Sequence, residues 1–418
     1  MTRREPTIKG RASPHILWQK GTTNLWMLSF ASFFNDIASE ATGRLIPLFL
    51  SQVLGASLPI IGLIEGIAQS TATLLRPVSG WLSDQLPRRK PLVVAGYGLS
   101  ALTKIFLLFA NHWGWILFIR FADRVGKGIR TAPRDAMIAD DAHVNSRGKS
   151  FGINQMLDTM GAVFGLSLAA YALQASSALS TTAFRTVVLL TLIPSALAVA
   201  MVAFGVREKR GEKPHAASAP HGLEKFRLQD LGVLPPTFWR YMALVVLFTL
   251  ANSSDAFLVL KASNTLHANL GTILLCLVGM NITSTVIALP AGHMSDVWGR
   301  KRVIAAGWVV YAISYAAFGL ASSMYTFFAA FVFYGAFYGL TESAEKAFVA
   351  DLVGARQGRG LAYGIFAMAV GIMSLPASLG FGYMMRACGP TNSFLIAAGL
   401  AAFSAVALMV LIPARQAT

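Results

Sequence analysis

Charge is what this chain has least of. Only 13% of its 418 residues are Asp, Glu, Lys or Arg, about half the ~25% usual in soluble globular chains. That shortage excludes an ordinary water-facing surface and leaves 55% of the residues hydrophobic, with a mean hydropathy of +0.57. Acid is scarcer still than base: 19 acidic residues against 35 Lys and Arg give a formal net charge of +16. Nucleic acid is not implied as a partner, because the bases stand mostly in short segments between apolar runs, where they would orient a membrane protein. Cysteine is nearly absent. Cys276 and Cys388 both fall in apolar segments, which excludes a disulfide framework and a metal cluster. No HExxH, paired CxxC or GxSxG element occurs, and Gly126-Lys127-Gly128 lacks the four-residue spacer of a phosphate loop. The chain is therefore expected to be no enzyme and to hold no cofactor or metal.

What is present is length in the apolar runs. They fall at roughly 24–52, 58–82, 91–110, 113–136, 151–173, 186–206, 241–262, 271–291, 303–321, 325–350, 361–384 and 392–413. Runs of ~18 or more apolar residues read as spanning segments. In lipid their backbone groups must bond internally, so each should be a helix. The expected fold is an all-α membrane protein of twelve transmembrane helices. Residues 1–23 are polar and basic, and no cleavable signal peptide is apparent, since the first apolar run is long enough to stay in the membrane.

Loop charge sets the orientation. Bases crowd the N-terminal segment (Arg3, Arg4, Lys9), the second-to-third turn (Arg88, Arg89, Lys90), the 207–240 linker and the eighth-to-ninth turn (Arg300, Lys301, Arg302). The alternate connections near 53–57, 111–112, 174–184 and 322–324 hold no Lys or Arg. The alternation predicts a multi-pass protein of the bacterial inner membrane with both termini cytoplasmic. The expected division is a cytoplasmic segment 1–23, a six-helix half 24–206, a cytoplasmic tether 207–240 and a second half 241–418.

The two halves repeat one another. Gly80-Trp-Leu-Ser-Asp84 precedes Arg88-Arg89-Lys90, and Gly292-His-Met-Ser-Asp296 precedes Arg300-Lys301-Arg302 after a shift of 212 residues. Gly128 to Asp140 matches Gly339 to Asp351 at a shift of 211, and Arg147 to Gly152 echoes Arg359 to Gly364 at 212. Three segments keep one register, so each half should hold six helices, related by an axis along the membrane normal. Parallel repeats of this kind place a substrate site between the halves near the midplane.

Gly80-x-x-x-Asp84-x-x-x-Arg88-Arg89 closely resembles the loop signature of the major facilitator superfamily, and Gly292, Asp296 and Arg300 form its second copy. Arg124-Val-Gly-Lys127-Gly128 resembles the superfamily's fourth-helix pattern, with Lys127 in place of Gln. Gly152, Gly161 and Gly165 fit the glycine spacing of the fifth-helix antiporter signature. That signature continues Gly-Pro where this chain has Gly165-Leu166. The resemblance implies the major facilitator fold, alternating access, and a gating role for Gly80, Asp84, Arg88, Arg89, Gly292, Asp296 and Arg300.

Ionisable groups inside spanning segments each cost ~2.5–3.5 kcal/mol on insertion scales, so each needs a partner or a purpose. Asp36, Glu40 and Arg44 share one face of helix one, and Asp36 sits about 16 Å in, near the midplane. Helix five carries Asp158 and helix seven Asp255. Helix four gathers Arg120, Asp123, Arg124, Lys127, Arg130, Arg134 and Asp135 into an arc of about 140°, which cannot face lipid. The candidates for proton coupling or substrate contact are Asp36, Glu40, Asp123, Arg124, Lys127, Asp158 and Asp255. Arg134 with Asp135, and Glu345 with Lys346, are expected to pair locally. Asn252, Asn281, Tyr334 and Tyr338 could line the cavity, whereas Gly371 and Pro376 are expected to set a bend. The function expected is secondary transport of a small organic solute, driven by a proton gradient and most simply exporting it as a monomer. Proton-coupled movement of an anionic metabolite or siderophore is the alternative, ahead of a polytopic enzyme or a membrane sensor.

Overall fold

The computed structural model describes residues 23–141, 147–173, 179–207, 234–266, 268–353 and 359–413. The expected N-terminal segment, most of the tether and the bases Arg3, Arg4 and Lys9 lie outside the described residues. Twelve helical units follow one another, and no strand occurs among the described residues.

The first half comprises α1 (Thr23–Gly43, continued by Ile46–Leu48 and Phe49–Val53), α2 (Leu58–Gln85), α3 (Lys90–Leu107), α4 (Trp113–Asp141), α5 (Arg147–Leu173) and α6 (Thr181–Ala200 with Met201–Gly205). The second comprises α7 (Pro236–Ala251 and Ala256–Asn264), α8 (Leu270–Trp298), α9 (Arg300–Leu320) and α10 (Met324–Val353). Its last run, Arg359–Leu411, is broken at Gly389, where φ is 79°, into α11 (359–388) and α12 (390–411).

Eight helical stretches are long and apolar enough to span by composition alone, the last of them covering both α11 and α12. The helices that fall short are α1, α3 and α4. These carry Asp36, Glu40, Lys104 and the basic stripe, so charge turned inward explains why composition undercounts them.

Close backbone approach joins the halves along α2 and α11. A Cβ on Gly62 would strike the carbonyl of Ser378, and one on Gly66 would lie 2.8 Å from the Cα of Leu375. Small residues permit such approach where lipid supplies no hydrophobic drive to associate. Gly371, expected to set a bend, belongs to this seam. Its carbonyl accepts a hydrogen bond from Ser70 Oγ at 2.5 Å. The second cross-half seam packs α5 against α8.

The repeat becomes geometry where α1 meets α7. Arg44 Nη1 lies 3.1 Å from Asp255 Oδ2, and Gln52 Nε2 donates to Ser263 Oγ at 2.5 Å. Each pair is separated by 211 residues, the offset of the sequence repeat. A residue can touch its own repeat mate only near the axis relating the halves, so these pairs mark that axis. Both helices are also interrupted at matching places, α1 after Gly43 and α7 after Ala251.

At the basic-loop end the repeat recurs. Lys90 Nζ donates to the carbonyl of Val206 at 2.7 Å, and Lys301 Nζ to those of Ile412 at 2.5 Å and Met409 at 3.0 Å. Each lysine thus caps the open carbonyls of its half's last helix, where a positive charge also suits the helix dipole. The lysine of each cluster is a fastening as well as a topological signal.

Candidate functional site

A cavity of about 350 Å³ lies between the halves at the level of the α1 and α7 breaks. That is within the usual range for small-molecule sites. The first half contributes Glu40 and Arg44 from α1, Glu65 and Gln69 from α2, and Arg120, Arg124 and Lys127 from α4. The second contributes Asn252 to Asp255 from the break in α7, Tyr338 from α10, and Ser374 and Ser378 from α11.

Breaking α7 in mid-membrane frees backbone groups that lipid cannot satisfy. Tyrosines of α9 take them up: Tyr311 Oη donates to the carbonyl of Ala251 at 2.9 Å, and Tyr315 Oη to the carbonyl of Ser253 at 3.4 Å. The break lets Asp255 project into the cavity. There it accepts from Tyr334 at 3.1 Å and Tyr338 at 3.2 Å besides its ion pair with Arg44. Arg44 also donates to Glu40 at 3.0 Å, so one guanidinium ties a carboxylate of each half. Tyr338 lines the cavity and Tyr334 stands fully buried behind it. Asn252 lines it too, whereas Asn281 bonds the carbonyl of Leu277 on its own helix at 2.8 Å.

The stripe on α4 does face inward, and it fans out over four neighbours. Arg120 bonds Glu65 of α2 at 2.5 Å. Arg130 bonds Ser100 of α3 at 2.6 Å and lies 4.7 Å over the Tyr97 ring. Arg134 reaches Ser32 of α1 at 2.5 Å and Asp158 of α5 at 3.7 Å. As expected, it also pairs with Asp135, at 2.9 Å. Arg124 and Lys127 turn to the cavity.

Asp123, a candidate for coupling or substrate contact, points away from that cavity. It pairs at 3.2 Å with Lys104 of α3, beside a void of about 10 Å³, room for one water at most. Lys104 escaped the sequence reading, although a lone lysine in an apolar helix is the kind of intramembrane charge that demands a partner. The expected pairing of Glu345 with Lys346 is also corrected. On a helix, residues four apart share a face more closely than adjacent ones. Lys346 pairs instead with Glu342, four residues back, at 3.2 Å, and Glu345 accepts from Trp308 Nε1 at 3.1 Å.

Asp36 accepts from Asn35 at 3.1 Å and feels the charges of Lys127, Glu40 and Arg130. Asp158 accepts from Asn154 at 3.2 Å, and its Oδ1 is buried without a hydrogen bond. It lies within electrostatic reach of both Asp36 and Lys127. Two glycines bring these helices together. A Cβ on Gly161 or Gly165 would collide with the carbonyls of Phe33 and Ile37 of α1. The glycines that fit the antiporter signature therefore serve here as the contact that sets Asp158 beside Asp36.

Of the loop-signature residues, a Cβ on Gly80 would lie 3.5 Å from that of Ala132, Arg88 is exposed, and Arg89 is buried. Around Gly292 there is open space, and Arg300 pairs with Asp351 at the end of α10 at 2.5 Å. The side chains of Asp84 and Asp296 lie outside the described residues.

The comparisons with known proteins agree with this architecture. A sequence profile described as Major Facilitator Superfamily matches residues 28–262 and 253–418. An uncharacterized MFS-type transporter of Methanocaldococcus jannaschii is 32% identical over 395 residues, covering 92% of this chain and 94% of that protein. A multidrug resistance protein MdtH of Photorhabdus laumondii is 28% identical over 131 residues, 31% of this chain and 32% of its own length. The crystal structure of the nucleoside transporter NupG superposes with a TM-score of 0.76 at 14% identity, covering 94% of this chain and all of that one.

Proposed function

The chain belongs to the major facilitator superfamily, and on that premise we propose that it moves a small solute across the inner membrane by alternating access, coupled to protons. The observation that carries the reading is the polar cavity at the meeting of two repeat halves, walled by both. Bonds between the halves include Arg44–Asp255, Gln52–Ser263 and Ser70–Gly371. They lie between the level of the cavity and the end opposite the basic loops. With those loops cytoplasmic, contacts at this level would belong to an outer gate, with Arg44–Asp255 on its axis.

Asp36 and Asp158 are the proton carriers in this scheme. They are acids of neighbouring helices within electrostatic reach of each other and of Lys127. A proton on either changes the charge that Lys127 and Arg134 see, and so the balance between the two arrangements of the halves.

Export in exchange for protons, the direction expected from the sequence, has a namesake in the multidrug resistance relative, which matches only a third of the chain. Cotransport of an anion is a second reading, favoured by Arg124 and Lys127 in the cavity wall, which no carboxylate hydrogen-bonds.

Liposomes holding a pH-sensitive dye, challenged with cationic, neutral and anionic solutes, test the proton-coupled scheme. Solute-driven pH change should vanish in Asp36→Asn and weaken in Asp158→Asn. Coupling that survives both substitutions together removes these acids from the role.

A further inference from the structure

The bases of the cavity are not all spoken for. Three carboxylates line it, and two arginines occupy all three: Arg120 holds Glu65, and Arg44 holds Glu40 and Asp255. Arg124 and Lys127 remain. The carboxylate closest to Arg124 is Asp123, 3.9 Å from its Nε, beyond hydrogen-bond length and already engaged by Lys104. The Arg124 Nε is buried and makes no hydrogen bond. The Lys127 ammonium makes no hydrogen bond or ion pair among the described residues, although it stands within electrostatic reach of Asp36 and Glu40. Three residues apart on α4, the two cations share one face. The wall contributed by α7 and α11 offers Asn252, Ser254, Ser374 and Ser378, neutral groups that can bond a polar solute but cannot neutralise it.

A cationic solute here would meet two bases that no carboxylate hydrogen-bonds. A neutral one would strip them of water and give little back, since buried unpaired charge is expensive. We propose that the cavity binds a small organic oxyanion, a carboxylate or phosphate compound, docked between Arg124 and Lys127, and that the anion travels with a proton. This rests on the reading of the cavity as the solute site. A guanidinium matches the planar pair of oxygens of such a group, and an ammonium adds a mobile point charge.

The proton follows from the surroundings of Asp36. It is faced by Glu40 on its own helix, by Lys127 and Arg130 on α4, and by Asp158 on α5. An anion that takes Lys127 as its partner leaves Asp36 among acids with less base to balance them. A carboxylate so placed in a spanning segment is cheaper protonated than charged. Anion and proton therefore load together, and the proton cancels one negative charge of the incoming anion.

Purified protein in detergent, at constant ionic strength, would be heated with succinate, citrate, inorganic phosphate or glycerol phosphate, with uridine and tetraphenylphosphonium as neutral and cationic probes. At least one anion should raise the unfolding temperature. Its apparent affinity should fall by about tenfold to hundredfold in Arg124→Gln and Lys127→Gln, the loss of one charge-assisted hydrogen bond. Lys127→Arg should retain binding, which guards against misfolding, and Lys346→Gln should not differ from the parent. No shift with any anion, or an anion shift unchanged in both glutamine variants, overturns the site.

In dye-loaded liposomes an inward gradient of the same anion should acidify the lumen. Alkalinisation would mean exchange and overturn the cotransport. Anion entry without pH change would leave the oxyanion site standing and sink the proton-coupled scheme. Proton movement driven only by uridine or tetraphenylphosphonium would do the reverse.

Discussion

In the first half, Lys104, Arg120 and Arg134 each hold an acid on a neighbouring helix. In the second half the corresponding interior is filled with rings. Phe248 stacks on Trp308 at 4.5 Å, Tyr311 on Tyr315 at 4.1 Å and Tyr334 on Phe337 at 5.8 Å, with Phe318, Phe327, Phe331 and Phe394 around them. Even the buried base there is treated differently. Lys261 donates to the carbonyl of Gly319 at 2.7 Å and lies 5.4 Å over the ring of Phe394, not beside an acid. One architecture is thus held by ion pairs in one half and by aromatic packing in the other. Aromatic pairs add about 0.5–1.5 kcal/mol each beyond their buried area and carry no desolvation cost. Buried ions seldom improve on apolar packing, so their concentration in α1 to α5 marks where charge is needed for another purpose, which the proposed scheme assigns to Asp36, Asp158 and the cavity bases Arg124 and Lys127.

The comparison can be broken most forcefully at Lys104 and Asp123. Lys104→Ala or Asp123→Ala strands a buried charge and should cost about 3–5 kcal/mol, seen as a large fall in unfolding temperature in detergent. The double variant Lys104→Met with Asp123→Leu should recover most of it, since an apolar pair suffices in the second half. Single variants that melt like the parent would mean the first half is not held by its ions.

A smaller loss, about 1–3 kcal/mol, is expected for Gly161→Ala, whose methyl must push α5 off the Phe33 carbonyl. Because the same contact sets Asp158 beside Asp36, proton coupling in the liposome assay should drop even in protein that remains folded. Coupling at the parent level would separate that seam from the acids.

Arg44→Gln removes the base that ties both halves. It should shift the conformers toward outer opening by about tenfold, the equivalent of ~1.4 kcal/mol. Oxidative cross-linking of a Gln52→Cys/Ser263→Cys protein, with Cys388 replaced by Ser, reads that shift as slower closure. Exchanging the charges, Arg44→Asp with Asp255→Arg, should restore it.

Tyr338→Phe deletes one of the phenols on Asp255 and should cost about 0.5–1.5 kcal/mol. At the bottom of the scale, Lys346→Gln breaks an exposed pair with Glu342, both side chains 62% accessible, and should change stability by less than ~0.5 kcal/mol.

Much of this was legible before any coordinates. Twelve runs, two copies of the loop signature and an offset near 212 led to the two-half helical fold, because lipid leaves the backbone few choices and a repeat must fold twice alike. The offset even contained the pairs on the axis, Arg44 with Asp255 and Gln52 with Ser263, once one asks which residues stand 211 apart. Asp36, Arg124 and Lys127 stood out because charge is costly in lipid. What could not be read was the sorting of that charge. Asp123 and Arg124 are neighbours in sequence with the same intramembrane cost, yet one is pinned to Lys104 and the other opens on the cavity.

By itself the sequence determined how many times the chain crosses, that its halves repeat, and which residues are too costly to face lipid. These depend on composition and spacing along the chain, and bilayer thickness turns spacing directly into structure. Only the tertiary structure decided which charges cancel and which remain. A partner is chosen by distances of 3–4 Å between helices far apart in sequence. Those distances are set by close helix contacts such as Gly161 against Phe33 and Gly62 against Ser378, which no count of charges along the chain contains.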